Sequence, residues 1–213
     1  MSASAPILDP AEIYRKSFAI IQAEADLARF GADARSIVVR MIHACGMVDL
    51  ADDIVVSSGF AGAARAALKA GAPVLCDAEM VRHGVITRLM PASNEVLCLL
   101  NDPQVREIAT GKQTTRSAAQ VDLWADRMGG AVIAIGNAPT ALFRLLELLD
   151  AGAPKPAAII GVPVGFVGAT ESKDALAADP RGVEFLTVTG RRGGSALASS
   201  AVNALAGGLE GHG

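Results

Sequence analysis

The sequence predicts an α/β fold, with a mainly parallel sheet covered by helices on both faces, in a single domain over residues 1–213. Two observations carry that expectation. Short apolar runs such as Ala131–Ile135 and Ala157–Val162 alternate with segments of helical length. Strands buried on both faces read as unbroken apolar runs, and crossover helices are what join parallel neighbours. Composition agrees: 213 residues, 51% of them hydrophobic, can bury a large core, and abundant alanine and glycine with only 4% aromatics suit close packing of helices on a sheet.

In chain order, Asp9-Pro10-Ala11-Glu12 combines a capping side chain, a proline at the first helical position and an acid at the third. A helix therefore starts there and runs to about Arg29, with Gly31 closing it. Asp33 is placed to cap a second helix, whose apolar residues Ile37, Val38, Met41, Ile42 and Cys45 recur at helical spacing and which Gly46 ends. Asp53–Ser57 is a short β-branched strand, Gly59–Ala70 a small-residue helix and Pro73–Asp77 a further strand. Gly84–Leu89 and Val96–Leu100 read as extended, the second leading into a helix start at Asn101-Asp102-Pro103. Thr114–Met128 reads as one helix stopped by Gly129-Gly130. A buried strand at Ala131–Ile135, a tight turn at Gly136–Pro139 and an apolar helix at Thr140–Leu149 follow. The last strands are Ala157–Val162 and Glu184–Val188, with a helix at Ser172–Ala178 between them and a final helix after Gly193-Gly194-Ser195.

Charge and composition narrow the partners. A net charge of −3 supplies no broad field for a polyanion, and few aromatics argue against a base-stacking module, so a small molecule is expected and nucleic acid is not. No stretch reaches the roughly 18 uninterrupted apolar residues of a membrane span, and the N-terminus lacks a basic segment followed by an apolar run. Cys45, Cys76 and Cys98 are odd in number, far apart and set in apolar surroundings. They read as reduced core thiols rather than a disulfide framework or a zinc site, which points to the cytoplasm and to no metal site in the protein.

His43 is the leading candidate for catalysis. Ser36, Arg40, His43 and Met47 follow at steps of three or four, which lines them along one side of the last helical turns, away from the apolar stripe. A histidine in a last turn feels the negative end of the helix dipole, which favours imidazolium and raises its pKa toward proton donation near neutrality. The alternative is a histidine that only caps the terminal carbonyls. Tyr14 and Ser17 share one side of the first helix with Ile21 and Glu24, and either present two hydroxyls to a ligand or bond to a neighbouring element. His83 lies beside a turn and His212 in a Gly-rich tail.

Ligands of open parallel sheets bind at the carboxyl ends of the strands. Three loops there place glycine and polar residues just before a helix: Gly136–Ala141, Gly161–Lys173 and Gly190–Ser195. Their glycines and the amides of the following helices suit a carboxylate or phosphate, and Arg116, Arg191 and Arg192 can add paired hydrogen bonds. For any single loop a plain tight turn is the alternative. Glu171 and Lys173 either touch the ligand or merely open a helix. No GxGxxG turn, phosphate-loop signature or GxSxG elbow is present, which argues against nucleotide-binding and serine-hydrolase designs.

Several blocks are similar to one known family. VVRMIHACGMVD at Val38–Asp49, CDAEMVRHGV at Cys76–Val85, TTRSAA at Thr114–Ala119, AIGNAPTAL at Ala134–Leu142, GVPVGFVGATESK at Gly161–Lys173 and RRGGSALASSAVNAL at Arg191–Leu205 occur in that order, with Pro10–Ser17 ahead. Together they resemble the precorrin-8X methylmutase family of cobalamin biosynthesis over nearly the whole chain. The resemblance implies an isomerase that moves a methyl group from C-11 to C-12 of precorrin-8X to give hydrogenobyrinic acid, with no net redox change and no separate cofactor. It puts the family histidine on His43, as proton donor or acceptor, and matches Ser17 and Arg40 to substrate-binding positions. Tyr14, Arg116, Asn137 and Ala138 are further candidates for substrate contact. Such a tetrapyrrole, carrying several acetate and propionate arms, needs distributed amides, hydroxyls and arginines. The resemblance also implies a homodimer with the site near the subunit interface. Two other functions stay open: the same rearrangement on a cobalt-containing precursor, with the metal carried by the substrate, and a non-catalytic tetrapyrrole carrier.

Overall fold

Six strands make one sheet in a computed structural model that describes residues 6 to 209. They are β1 (Ile54–Val56), β2 (Val74–Cys76), β3 (Val96–Leu97), β4 (Val132–Ile135), β5 (Ala158–Gly161) and β6 (Glu184–Val188), in the spatial order β1-β6-β5-β4-β2-β3. The last five run parallel, as expected, while edge strand β1 pairs antiparallel with β6. Val132 and Ala134 of β4 face one core and Ile133 and Ile135 the other, and the same alternation runs through β2, β5 and β6. Both faces are apolar because both are covered.

On the first face lie α1 (Pro10–Glu24), α2 (Ala32–Cys45), α4 (Phe60–Lys69), α5 (Glu79–Gly84) and α11 (Ser195–Gly207), with the single turn α3 (Leu50–Asp53) leading into β1. On the second lie α7 (Arg116–Asp122), α9 (Pro139–Asp150) and α10 (Ala169–Ala178), joined by α8 (Ala125–Met128); α6 (Pro103–Gly111) packs beside α7 through Val105, Ala109 and Ala119. Helix α11 is the pivot of the first face. Its small residues Ala198, Ala201 and Ala204 are fully buried, so α2 and the sheet approach it closely from two sides. Its buried polar residues are satisfied: Ser199 and Ser200 donate to carbonyls of their own helix at 2.9 and 2.8 Å, and Asn203 bonds Gly84 and Ile86. Helix α2 therefore rests on a rigid floor and carries α1 on its outer side.

Local signals placed most helix ends. Asp9 caps α1 at the amide of Ala11, 3.2 Å, with Pro10 first in the helix, and Gly46 ends α2 in the left-handed conformation at φ 70°. Four expectations fail. Helix α1 stops at Glu24 rather than Arg29, because the Asp26 carboxylate takes the amide of Ala28 (3.1 Å) and Arg29 reaches the carbonyls of Ala51 and Ile54. Asp33 does not cap α2: Gly31 holds that position without a side-chain bond, and Asp33 instead pairs with Arg65 at 3.1 Å. Gly84–Leu89 is not a strand, since Asn203 takes the Gly84 carbonyl (3.0 Å) and the Ile86 amide (2.8 Å), and Thr87–Leu89 makes a 3₁₀ turn. Thr114–Met128 is two helices, bent between α7 and α8 where fully buried Trp124 enters the second core.

Cys45, Cys76 and Cys98 are all free thiols. Among the described residues no helix is long and apolar enough to cross a membrane, and no three His, Cys, Asp or Glu side chains are grouped to hold a metal ion. His212 lies outside the described residues.

Candidate active site

Tyr14, Ser17 and Ile21 stand three and four residues apart, so one face of α1 meets α2. There Ser17 Oγ lies 2.7 Å from His43 Nδ1. The imidazole also lies 5.1 Å from the Tyr14 ring and 5.2 Å from that of Phe18, edge-on to the latter at 72°. Two aromatic rings set its plane and one hydroxyl holds one of its nitrogens. A serine hydroxyl accepts from Nδ1–H in the imidazolium and in the neutral ring protonated at Nδ1, and donates to Nδ1 in the other tautomer, so the contact survives either protonation state. Nε2 has no protein partner among the described residues. The ring forms part of the wall of an open, mostly apolar groove of about 470 Å³, with Ile13, Ser17, Ile20, Ile42 and Val48 and the charged residues Lys16 and Glu24. Apolar walls with one or two placed polar groups suit a carbon skeleton with a reactive position.

Arg40 stands one turn earlier on α2 and is only 5% exposed, its guanidinium donating to the Gly208 carbonyl. It lies within electrostatic reach of Tyr14, Arg88 and His43. Burial first, and the Arg40 charge second, hold His43 below the ordinary 6.5. This reverses the rise expected from the helix end: loss of water around the ring and a neighbouring cation both disfavour imidazolium, and together they outweigh the dipole. Ser36, expected on the same side, is occupied elsewhere, donating to the Asp33 carbonyl and accepting from Arg65 at 3.1 Å. Met47 is exposed beside the groove's end.

The carboxyl end of the sheet is arranged differently. Asp77, fully buried just beyond β2, accepts the amides of Gly136, Asn137 and Ala138 at 2.9, 2.9 and 2.7 Å. Burial pushes its carboxyl pKa up, and those three bonds oppose the rise. The amides of the turn before α9 are thus already taken by an internal carboxylate, and the Ala138 carbonyl accepts from Ala141 at 3.0 Å, which leaves Asn137 its exposed side chain. Sequence reasoning missed Asp77. The available signal was an acid set directly against the end of the apolar strand Val74-Leu75-Cys76.

Arg116 turns back to the Leu100 carbonyl (2.7 Å) and Asn101 Oδ1 (3.0 Å), and Thr115 caps α7 while bonding Thr140 at 2.8 Å. None of Arg116, Asn137 and Ala138 lines the His43 groove. Lys173, left undecided between ligand and helix start, is fully buried and donates to the Arg192 carbonyl at 2.6 Å; burial lowers its pKa to about 8. Glu171 stays exposed. Arg192 pairs with Asp49 (2.6 Å) and Asp53 (3.3 Å), just beyond the end of the His43 helix. The structure therefore brings Tyr14, Ser17, Arg40 and His43 together and keeps the Arg116–Asn137 cluster apart.

Comparison with known proteins shows the family. A family model described as precorrin-8X methylmutase matches residues 12–207. The chain is 59% identical over 200 residues to a precorrin-8X methylmutase of Sinorhizobium sp, covering 94% of this chain and 95% of that protein. It is 38% identical over 198 residues to a cobalt-precorrin-8 methylmutase of Methanothermobacter thermautotrophicus, covering 91% of each. A solved precorrin-8x methyl mutase from Thermus thermophilus has the same fold, with a TM-score of 0.82 at 38% identity over 91% of this chain and 93% of that one. With a family match that takes in both helices of the groove and all six strands, the chain belongs to the precorrin-8X methylmutase family and is an isomerase.

Proposed function

We propose that this methylmutase moves a methyl group from C-11 to C-12 of metal-free precorrin-8X, yielding hydrogenobyrinic acid, with His43 as proton donor and acceptor. The observation that carries this is an imidazole backed at Nδ1 by Ser17 and, among the described residues, unpartnered at Nε2, in the wall of a mostly apolar groove. The imidazolium passes its Nε2 proton to the conjugated macrocycle, which becomes electron-poor. The bond from C-11 to the methyl group then breaks as the bond to C-12 forms. The ring returns a proton to Nε2, so the product is an isomer and the protein ends as it began. Throughout, Nδ1 keeps its proton and donates it to the Ser17 hydroxyl, which therefore holds the imidazole both before and after Nε2 gives up its own.

Ser17, Tyr14 and Arg40 are the substrate contacts nearest His43. Arg116, through the guanidinium nitrogens that its bonds to Leu100 and Asn101 do not use, and Asn137, through its exposed side chain, take acidic arms of the substrate held by a second copy of the chain in a homodimer, with Ala138 beside them. Two features support the dimer: these residues lie outside the groove's lining, and Ile7, Ile13 and Ile20 are exposed along its rim. Each chain works as one domain over residues 1–213 in the cytoplasm, a reading supported by one sheet covered on both faces and by three free cysteines. The higher identity to the Sinorhizobium methylmutase than to the archaeal cobalt-precorrin-8 enzyme favours the metal-free substrate.

Visible absorption of purified protein incubated with precorrin-8X tests the reaction. The expected result is a shift to the more conjugated hydrogenobyrinic acid chromophore, with cobalt-precorrin-8 converted more slowly. Binding without a shift would sink the assignment, and faster conversion of the cobalt form would move it to that substrate. Sedimentation at micromolar concentration should show a dimer; a monomer that turns over at full rate would remove the second copy from the site.

A further inference from the structure

Of the arginines at the carboxyl end of the sheet, Arg116 is tied through one nitrogen to Leu100 and Asn101, and Arg192 is paired with Asp49 and Asp53. Arg191 is neither. It is exposed and has no ion pair or side-chain hydrogen bond among the described residues. Its guanidinium lies over the ring of Phe166, 5.1 Å from the centre. Phe166 is itself 84% exposed and its neighbour Val167 89%.

This pair stands on a firm base. The Arg191 carbonyl accepts from Gly165, and the Gly194 amide donates to Val162 at 2.8 Å, which zips the two loops together. Between them Gly193 comes so close that a Cβ would run into the Val162 carbonyl, a contact only glycine permits. Buried Lys173 holds the Arg192 carbonyl from below at 2.6 Å. The Arg192 side chain then ties the loop to Asp49, the residue after Val48 in the wall of the His43 groove. A cation without a counter-charge and two exposed apolar side chains are thus fixed beside the groove. Acidic arms radiating from the edge of a tetrapyrrole reach past a groove that lines its apolar faces, and a guanidinium matches a carboxylate in two parallel hydrogen bonds.

We infer that Arg191 and Phe166 form a substrate subsite at the rim of the His43 groove. The guanidinium takes an acetate or propionate carboxylate, and the Phe166 ring and Val167 lie against the macrocycle. The subsite rests on the methylmutase reading of the groove. It calls for no residue of the catalytic pair, so the two can fail separately.

Steady-state conversion of precorrin-8X by Arg191→Ala, Arg191→Lys, Phe166→Ala and His43→Ala tests it, and the exposure of Arg191 and Phe166 leaves the fold intact in their variants. Losing one charge-assisted contact at an exposed position should raise KM about 10-fold in Arg191→Ala, with kcat within about 2-fold of wild type. Arg191→Lys should recover part of the loss, and added salt should weaken wild type more than Arg191→Ala. Phe166→Ala should raise KM less, by about 3-fold, as expected for lost apolar contact alone. An unchanged KM in Arg191→Ala, beside an inactive His43→Ala, removes the subsite and leaves the reaction standing. A fall in kcat together with a smaller sedimenting species assigns Arg191 and Phe166 to contact between two copies instead, which also overturns the subsite. A His43→Ala protein that turns over normally contradicts the catalytic reading whatever Arg191 does.

Discussion

The groove between α1 and α2 and the carboxyl end of the sheet both gather polar residues at helix ends, but they differ in what is left unsatisfied. At the sheet end Asp77 consumes three amides, Arg116 two oxygens, and Lys173 and Arg192 lock one loop onto its neighbours. In the groove, Ser17 consumes one nitrogen of His43 and leaves the other. An α/β fold directs attention to strand ends, where ligands commonly sit. Here hydrogen-bonding capacity left over after folding is the better guide, and it lies on the helical face and at Arg191.

Substitutions should separate the two regions. The largest effect is expected at His43: replacement by Ala removes the proton-transfer group and should slow conversion by about 10²–10⁴-fold, with little change in melting temperature. Asp77→Ala should do the reverse. It strands three amides in the interior, each at a cost of about 1–3 kcal/mol, so urea denaturation should show a loss of about 3 kcal/mol or more. A stable Asp77→Ala protein that no longer turns over would break the comparison. Ser17→Ala should lower kcat by about 2–10-fold, the worth of one net hydrogen bond of roughly 0.5–1.5 kcal/mol. A loss as large as that at His43 would show that the hydroxyl takes part in the chemistry itself. The smallest effect is expected of Arg40→Met. Removing the cation second in importance for the His43 shift should move the imidazole pKa upward, read by NMR titration, while burial still holds it below 6.5.

Features set by neighbours in sequence were legible, and those set by distant partners were not. Asp9-Pro10 and Gly46 mark helix ends by local chemistry, and the apolar runs of β4 and β5 declare a sheet buried on both faces. The turn at Gly84–Ile86 is set by Asn203, 117 to 119 residues on, and the bend at Trp124 by a core that exists only once folded. Asp77 finds its amides 59 to 61 residues away. The site shows the same division. Tyr14 with Ser17, and Arg40 with His43, were each placed on one helix face by spacing, but their meeting spans 26 residues and is a property of packing. The sign of the His43 shift could not be read either, because helix position is written in the sequence and desolvation is not.

The central claim is that the proton carried by His43 is the one passed to the macrocycle. The pH dependence of kcat/KM tests it most directly, since it reports the free enzyme and can be laid over the NMR titration of the His43 ring. Burial and Arg40 disfavour the charged ring, so kcat/KM should fall as pH rises through a value below 6.5, the same value at which His43 titrates. A flat profile across that range, or a limb at a pH where His43 does not titrate, would contradict the account.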